Sequence, residues 1–406
     1  MSDVPVVPFN PLSPEYLADP YPTLAKLRAA SPVVRSPFGG ALMLTRHDGV
    51  DRLLRSPAFR TPRGYREAND PMGPPRFDPT GPLTAHRRLW LLFQDGDAHA
   101  RLRKLIMKVF TPRAVRALAP RIEALVGDLL APIFERGTCE VIADLAYPLP
   151  ATVICELLGI PEADRDRNRA WATAIAPTLE PVVGDRQREA AEQAMREWDP
   201  YIRALLAERR RRPGTALLDA MLAVEDDGAR LTEDEIAANA TFLFLAGHET
   251  TTNLIGNGLY ALLRRPDQLA ILAAEPALVE NAVEELLRFD SPVQVTTRVA
   301  REPIDVEGVR VEPENLVVAM LAAANHDERR YDRPDELDVR RADVRPLSFG
   351  GGAHYCVGAA LARLETTIAF TQLVTRARTL ELVDATPAWR PSFSLRGLAR
   401  LPIRVA

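Results

Sequence analysis

Apolar residues recur at helical spacing along most of this chain. Stretches near 14–30, 46–55, 98–108, 112–134, 149–158, 162–176, 186–210, 215–224, 232–265, 266–274, 276–289 and 357–378 carry the three-to-four-residue period of helices with one buried face. Shorter alternating or β-branched pieces near 32–45, 293–311, 315–320 and 380–405 predict strands. The strands gather towards the ends and after residue 292, without the strand–helix alternation of a doubly wound sheet. The expected class is mainly α with small β-sheets. The stretch at 232–265 is the longest helix. Thr232 and Glu235 are spaced as a capping box, and Leu231 and Ile236 as a hydrophobic staple. At 1.5 Å per residue it spans roughly 45 Å. Its middle, Phe242 to Ala246, is apolar all round and is expected to be buried. Segments 56–96, 177–185 and 325–355 read as irregular, but none is a featureless Gly/Ser linker. At about 150 residues per domain the length suggests two or three domains. The continuous helical pattern favours one domain over 1–406.

Charge and cysteine usage then exclude several classes. The 51 basic and 55 acidic residues give a net charge of −4, against the strong positive charge of a nucleic-acid binder. Only Lys26, Lys104 and Lys108 are lysines, so arginine supplies almost all the positive charge. Three cysteines make no disulfide framework and suit a reducing compartment. The densest apolar run, FLFLAG at 242–247, is far short of a membrane span, and the first residues lack a leader's basic and apolar regions. A cytoplasmic protein is expected, with monomer as the default state.

The most specific chemistry lies in FGGGAHYCVGAALAR at 349–363. Three glycines allow a tight turn and close approach to a flat object. A thiolate just before a helix start feels the positive end of the helix dipole, which lowers its pKa. One cysteine suits a single axial metal position; zinc would need several Cys or His partners. A buried structural thiol would explain a lone cysteine, but not the coincidence of Phe349, three glycines, His354, Cys356 and Gly358. A second signal is AGHETT at 246–251, a carboxylate and threonines inside an apolar helix, costly unless paired or used. Two weaker patterns are EELLR at 284–288, which puts Glu285 and Arg288 on one helix face, and His99 with Arg103 four residues on. Taken alone, the first reads more readily as a solvated surface ion pair and the second as an exposed basic face.

These motifs, in this order, resemble the cytochrome P450 family, over almost the whole chain to the closing RGLARLPIRV at 396–405. The resemblance implies a single-domain fold with haem b, iron protoporphyrin IX, between the long central helix and the helix after the cysteine loop. It implies Cys356 as the iron ligand, within a loop matched by Phe349, Gly350, Gly352, His354 and Gly358. Ala246 and Gly247 match the positions that leave room for O2, and Glu249 and Thr250 those that deliver protons to it. His99, Arg103, Arg298 and His354 match contacts to the haem propionates. Glu285 and Arg288 match a structural ion pair whose usual third member is an arginine; Glu336 stands at that position in Pro334–Leu337, leaving Arg340 as the candidate substitute. The Asp-Pro-Pro that the family often has just before the His99 helix stands here as Asp95, Gly96 and Asp97.

The implied activity inserts one atom of O2 into a hydrophobic small molecule, by hydroxylation or epoxidation. The implied pocket walls are Leu91, Leu92, Leu243, Ala246, Val293, Val295, Phe393 and Leu395. Arg60, Arg63, Arg66, His86 and Arg87 could meet an acidic substrate, though a solvated loop is the plainer expectation. No nicotinamide, flavin or iron–sulfur motif is present, so electrons come from a separate donor. Arg101, Lys104, Lys108 and Arg113 form a candidate docking patch for an acidic ferredoxin. The same motifs would also serve a peroxide-driven or redox-neutral haem-thiolate enzyme, or a non-catalytic haem binder. The arginine bias fits a GC-rich bacterium, where such enzymes often serve secondary metabolism.

Overall fold

The computed structural model describes residues 4–37, 40–62, 77–180 and 183–406. By internal contacts the chain divides into two compact units. The first comprises Met1–Arg60, Leu118–Leu149 and Thr250–Ala406; the second comprises Thr61–Ala117 and Pro150–Glu249.

The first unit holds a five-stranded sheet in the order Val33–Arg35, Leu42–Leu44, Leu316–Ala319, Thr296–Ala300, Phe59–Arg60. Only the pairing of Leu42–Leu44 with Leu316–Ala319 is parallel. Its two faces feed separate apolar clusters, one around Leu44, Val50, Leu54 and Val317, the other around Leu24, Met43, Val318 and Met320. This is the alternation a two-sided strand requires. A three-stranded sheet joins Leu380–Leu382, Pro402–Val405 and Thr138–Glu140. The unit's principal helices are Ala119–Arg136, Val279–Phe289 and Ala359–Arg376.

The second unit is almost wholly helical. Its main members are Gly96–Val109, Arg165–Ile175 and Asp185–Arg211, with a two-residue hairpin pairing Glu225–Asp226 and Ala229–Arg230. The central helix, Glu233–Leu263, crosses the unit boundary at Glu249. Its start is as expected: Thr232 accepts from the Glu235 N–H at 3.1 Å and Glu235 accepts from the Thr232 N–H at 2.9 Å.

Prolines account for where the helices depart from the sequence reading. The expected helix over 14–30 is two, Pro14–Ala18 and Tyr21–Ala30, because Asp19 precedes Pro20 and takes an extended backbone (φ −148°, ψ 100°). The expected helix over 112–134 breaks between Arg116 and Ala119, since Pro120 cannot accommodate the carbonyl of residue 116. Segment 56–96 is more ordered than expected, with a helix at Pro82–Arg87 and a 3-10 turn at Leu91–Phe93; residues 63–76, including Arg63 and Arg66, lie outside the described residues.

Candidate active site

In the first unit, glycine geometry builds the loop before Ala359–Arg376. Gly350 and Gly352 both have positive φ, 70° and 63°. A Cβ on Gly352 would lie 2.5 Å from the Leu54 carbonyl oxygen and 2.9 Å from the Arg55 Cα, so a side chain is excluded there twice over. The turn brings the Cys356 N–H to the Phe349 carbonyl at 3.0 Å. Cys356 thereby sits just before an 18-residue helix whose N-cap is Gly358. None of the three cysteines is in a disulfide; Cys139 and Cys155 are buried, and Cys356 is exposed. Burial pushes the Cys139 thiol up to about 12 and the Cys155 thiol up to about 11, leaving both unreactive. The Arg363 guanidinium lies over the Phe349 ring at 4.5 Å and is held by Glu284, fixing the loop to the helices on either side.

Behind this loop is a buried ion-pair cage. Arg288 donates to Glu285 at 2.7 and 2.8 Å, both side chains fully buried. Arg288 also reaches the carbonyls of Asn325, Pro334 and Glu336 at 3.1, 2.6 and 3.0 Å. The third member is Arg341, 3.1 Å from Glu285 Oε1 and bonded to the carbonyls of Arg333 and Glu336. Arg340, the expected substitute, instead points outward to exposed Glu275. The Arg341 N–H donates to the Asp338 carbonyl at 3.0 Å and closes a turn, and one step in sequence there separates a caged arginine from a solvated one.

Arg298 is buried on the strand Thr296–Ala300, donating to the Thr297 carbonyl at 2.8 Å. Val293 and Leu395 face each other across an isolated β-bridge. Val295 and Phe393 share the cluster around Met43 and Met320. His354 closes a short 3-10 turn, Gly352–His354, two residues before the thiol.

In the second unit, His99 is buried on the helix Gly96–Val109, with Arg103 one turn on. Burial, and then the Arg103 charge, lower the His99 pKa below its usual 6.5, so the imidazole is neutral at pH 7. Asp95 caps this helix, its side chain accepting from the Gly96 N–H at 3.0 Å, with φ +56° at Gly96. The departure from the family's usual residues thus still gives a capped start.

The central helix is not buried all round. Leu243, Ala246, Gly247 and Thr250 are half-buried and share one face, with Glu249 at its edge, whereas Phe244, Leu245 and His248 are buried. Ala246 and Gly247 are the small residues of this stripe. Gly247 has a packing role too: a Cβ there would lie 3.1 Å from Ile154 Cδ1. Leu91 is buried, and its N–H donates to Asn239 Oδ1 at 2.8 Å, one turn before Leu243; Leu92 is half-buried.

The charged positions of the second unit are more engaged than expected. Lys104 and Lys108 both pair with Asp226, and Arg101 pairs with Glu235; Arg113 is exposed. His86 and Arg87 are buried instead of solvated. His86 lies between Thr241 Oγ1 at 3.0 Å and Asp199 Oδ1 at 2.7 Å. Arg87 is caged by Phe77, Trp90 and Phe93 at 4.9, 5.2 and 4.8 Å and donates to the Thr178 carbonyl at 2.8 Å. Burial lowers its pKa to about 9. Arg60, in the first unit, pairs with Glu314.

A mainly helical chain that presents one exposed thiol from a glycine turn at a helix start fits the haem-thiolate class of protein. The sequence model of the cytochrome P450 family matches residues 75–388. The cytochrome P450 monooxygenase PikC of Streptomyces venezuelae is 39% identical over 410 residues, covering 98% of this chain and 94% of its own length. The 6-deoxyerythronolide B hydroxylase of Saccharopolyspora erythraea is 37% identical over 404 residues, covering 97% and 98%. A crystal structure of P450BioI, in complex with acyl carrier protein ligated to hexadec-9Z-enoic acid, matches with a TM-score of 0.90 at 34% identity, covering 97% of this chain and 99% of that one.

This chain belongs to the cytochrome P450 family and has its fold. Its cofactor is haem b, and its reaction is the insertion of one atom of O2 into a hydrophobic small molecule, with electrons from a redox partner. Among the described residues no helix is long and apolar enough to cross a membrane.

Proposed function

We propose that Cys356 is the axial thiolate of the haem, and that both units form one P450 domain over 1–406. The observation that carries the first part is the glycine turn, which presents an exposed thiol at a helix start while the other two thiols are buried. The family match across 75–388, which runs through both units, supports the second. Thiolate-ligated haem supplies activation of O2 and cleavage of its O–O bond. Phe349, Gly350 and Gly358 shape the loop, and the Phe349 carbonyl fixes the Cys356 backbone. Helix-start N–H groups favour the thiolate over the thiol.

His99, Arg103, Arg298 and His354 hold the haem propionates. Neutral His99 does so as a hydrogen-bond donor, and the arginines through their planar forks. Ala246 and Gly247 leave space on the half-buried face of the central helix. Glu249 and Thr250, on the same stretch, pass protons towards that space, which is general acid work in a site that must otherwise keep water out. Leu91, Leu92, Leu243, Ala246, Val293, Val295, Phe393 and Leu395 wall the substrate pocket, and their apolar character suits a hydrophobic substrate. Relatives such as the 6-deoxyerythronolide B hydroxylase favour a secondary-metabolite substrate.

The electron donor is an acidic ferredoxin that docks near Arg101, Lys104, Lys108 and Arg113. Lys104 and Lys108 remain 59% and 44% exposed while paired with Asp226, so a ferredoxin carboxylate can take over from it. Three cysteines without a disulfide fit a cytoplasmic location, and the protein acts as a monomer.

A Thr250→Ala variant tests the proton path. Electron consumption should continue, while product per electron pair falls and hydrogen peroxide rises, since positioned acid–base groups typically contribute about 10²–10⁴-fold. Unchanged coupling would remove Thr250 from the path and favour a peroxide-driven enzyme.

A further inference from the structure

The first unit holds a cavity of about 600 Å³, and none of the residues lining it belongs to the site described above. It lies between the helix His47–Arg55 and the hairpin that pairs Ile304–Val306 with Val309–Val311. Its volume falls within the roughly 300–1,000 Å³ of small-molecule sites. Leu53 and Phe59 are buried behind it, and Ile304 and Val306 are half-buried, so its floor is apolar.

The rim is charged, with two guanidinium groups and three carboxylates. Arg52 of the helix pairs with Glu307 of the hairpin turn, and Arg55 donates through Nε to both Asp51 oxygens at 2.8 and 2.9 Å. Each guanidinium thus has its own carboxylate. The third carboxylate, Asp305, accepts from the Gly308 N–H at 2.9 Å and has no ion pair among the described residues. The mouth therefore carries one uncompensated negative charge above an apolar floor. Glu307 is held there against its backbone preference. It and Gly308 form the two-residue turn between Val306 and Val309, with φ +51° and +79°, where Asn, Asp or Gly is the usual first residue. A Cβ on Gly49 would lie 3.1 Å from Glu307 Oε1, so the helix is bare where this carboxylate crosses it.

We propose that this cavity is an effector site for an organic amine, cationic at neutral pH, with an apolar body. The ammonium group pairs with Asp305 at the mouth, and the body covers Phe59, Ile304 and Val306. An anion would have to draw an arginine away from Asp51 or Glu307, so the rim selects against it. A metal ion is not the occupant, because among the described residues no three His, Cys, Asp or Glu side chains are placed to hold one. Occupancy is felt at the thiol loop through the same helix. A Cβ on Gly352 would meet the Leu54 carbonyl oxygen and Arg55 Cα, and one on Gly351 would lie 3.3 Å from Leu54 Cβ. A ligand that moves the His47–Arg55 helix therefore moves the turn that presents Cys356. The effector role rests on the reading of Cys356 as the haem ligand; the binding site does not.

The probe for the test is decyltrimethylammonium, whose quaternary nitrogen has no lone pair to bind iron. Its binding to the holoprotein is measured by isothermal titration calorimetry below its micellar concentration. Asp305→Asn, at an exposed position, should weaken binding about two- to fivefold, the worth of one exposed ion pair. Ile304→Trp fills the floor and should abolish binding, with circular dichroism confirming that it folds. Decanoate, an anion of the same chain length, should bind more weakly than the probe. Equal affinity for wild type and Asp305→Asn, or tighter binding of decanoate, would overturn the site. In a second arm the haem midpoint potential should shift when the probe saturates wild type and stay fixed in Ile304→Trp. Binding that leaves the potential unmoved would overturn the effector role. Calorimetric binding together with no haem-thiolate spectrum would sink the reading of Cys356 and leave the binding site standing.

Discussion

Glu365 lies on the helix that follows the Cys356 loop, nine residues after the thiol, and is fully buried. Its Oε2 has no hydrogen-bond partner among the described residues, and burial raises its pKa well above 4.5. The folded protein therefore holds a proton here that the unfolded chain gives up above about pH 4.5. Stability should fall as pH rises from that point, because folding must take the proton back. Glu365→Gln should remove this slope and raise Tm at pH 8 more than at pH 5. A Tm difference independent of pH would show that the buried carboxyl is ionised. His99 shifts by the same physical cause, burial, acting on a base, so its charge is suppressed instead. At this scale the sequence was most readable where the residue type is dictated by chemistry. Phe349, the glycines and Cys356 stand out because few other structures need them together. Neither Glu365 nor the caged Arg87 could be read in advance, since burial of a charged side chain depends on which remote elements close over it.

The helix Val279–Phe289 and the irregular stretch after it are joined through one cage, and its membership is the sharpest test at this scale. Glu285 and Arg288 were legible from their spacing, but spacing alone could not say that they are buried. The third arginine was missed by one residue, because the direction in which an irregular chain faces has no sequence period. Arg341→Ala should cost about 1–3 kcal/mol, since it removes a charged partner of a buried carboxylate. Arg340→Ala, at an exposed pair, should change stability by less than about 0.5 kcal/mol. Urea unfolding of the two variants checks this, and equal losses would contradict the assignment. Removing Arg288 itself should cost about 3–5 kcal/mol. The central helix shows the same limit of pattern reading. Its length and cap were predictable from pattern, but its half-buried stripe at Leu243, Ala246, Gly247 and Thr250 was indicated only through the family resemblance, because a half-exposed apolar residue looks the same in sequence as one in the core.

For the whole molecule, net charge is −4, yet one helix of the second unit carries two of the three lysines. Asp226 pairs with both, and hydrogen bonding to it raises the Lys104 pKa. Asp226→Asn should free both cations and tighten the apparent affinity for an acidic ferredoxin at low salt. Lys104→Glu with Lys108→Glu should weaken it, and both effects should fade as salt shortens the roughly 10 Å screening length found at 0.1 M. Ferredoxin-supported turnover that ignored both changes at every salt concentration would move the docking surface elsewhere. The central claim, that Cys356 holds the haem iron as a thiolate, is tested most directly by the difference spectrum of the reduced protein with carbon monoxide, measured beside Cys356→Ser. A strongly red-shifted Soret band in the wild type, absent from a folded Cys356→Ser, is the result predicted. A haem spectrum without that band, or the same band in both proteins, would contradict it.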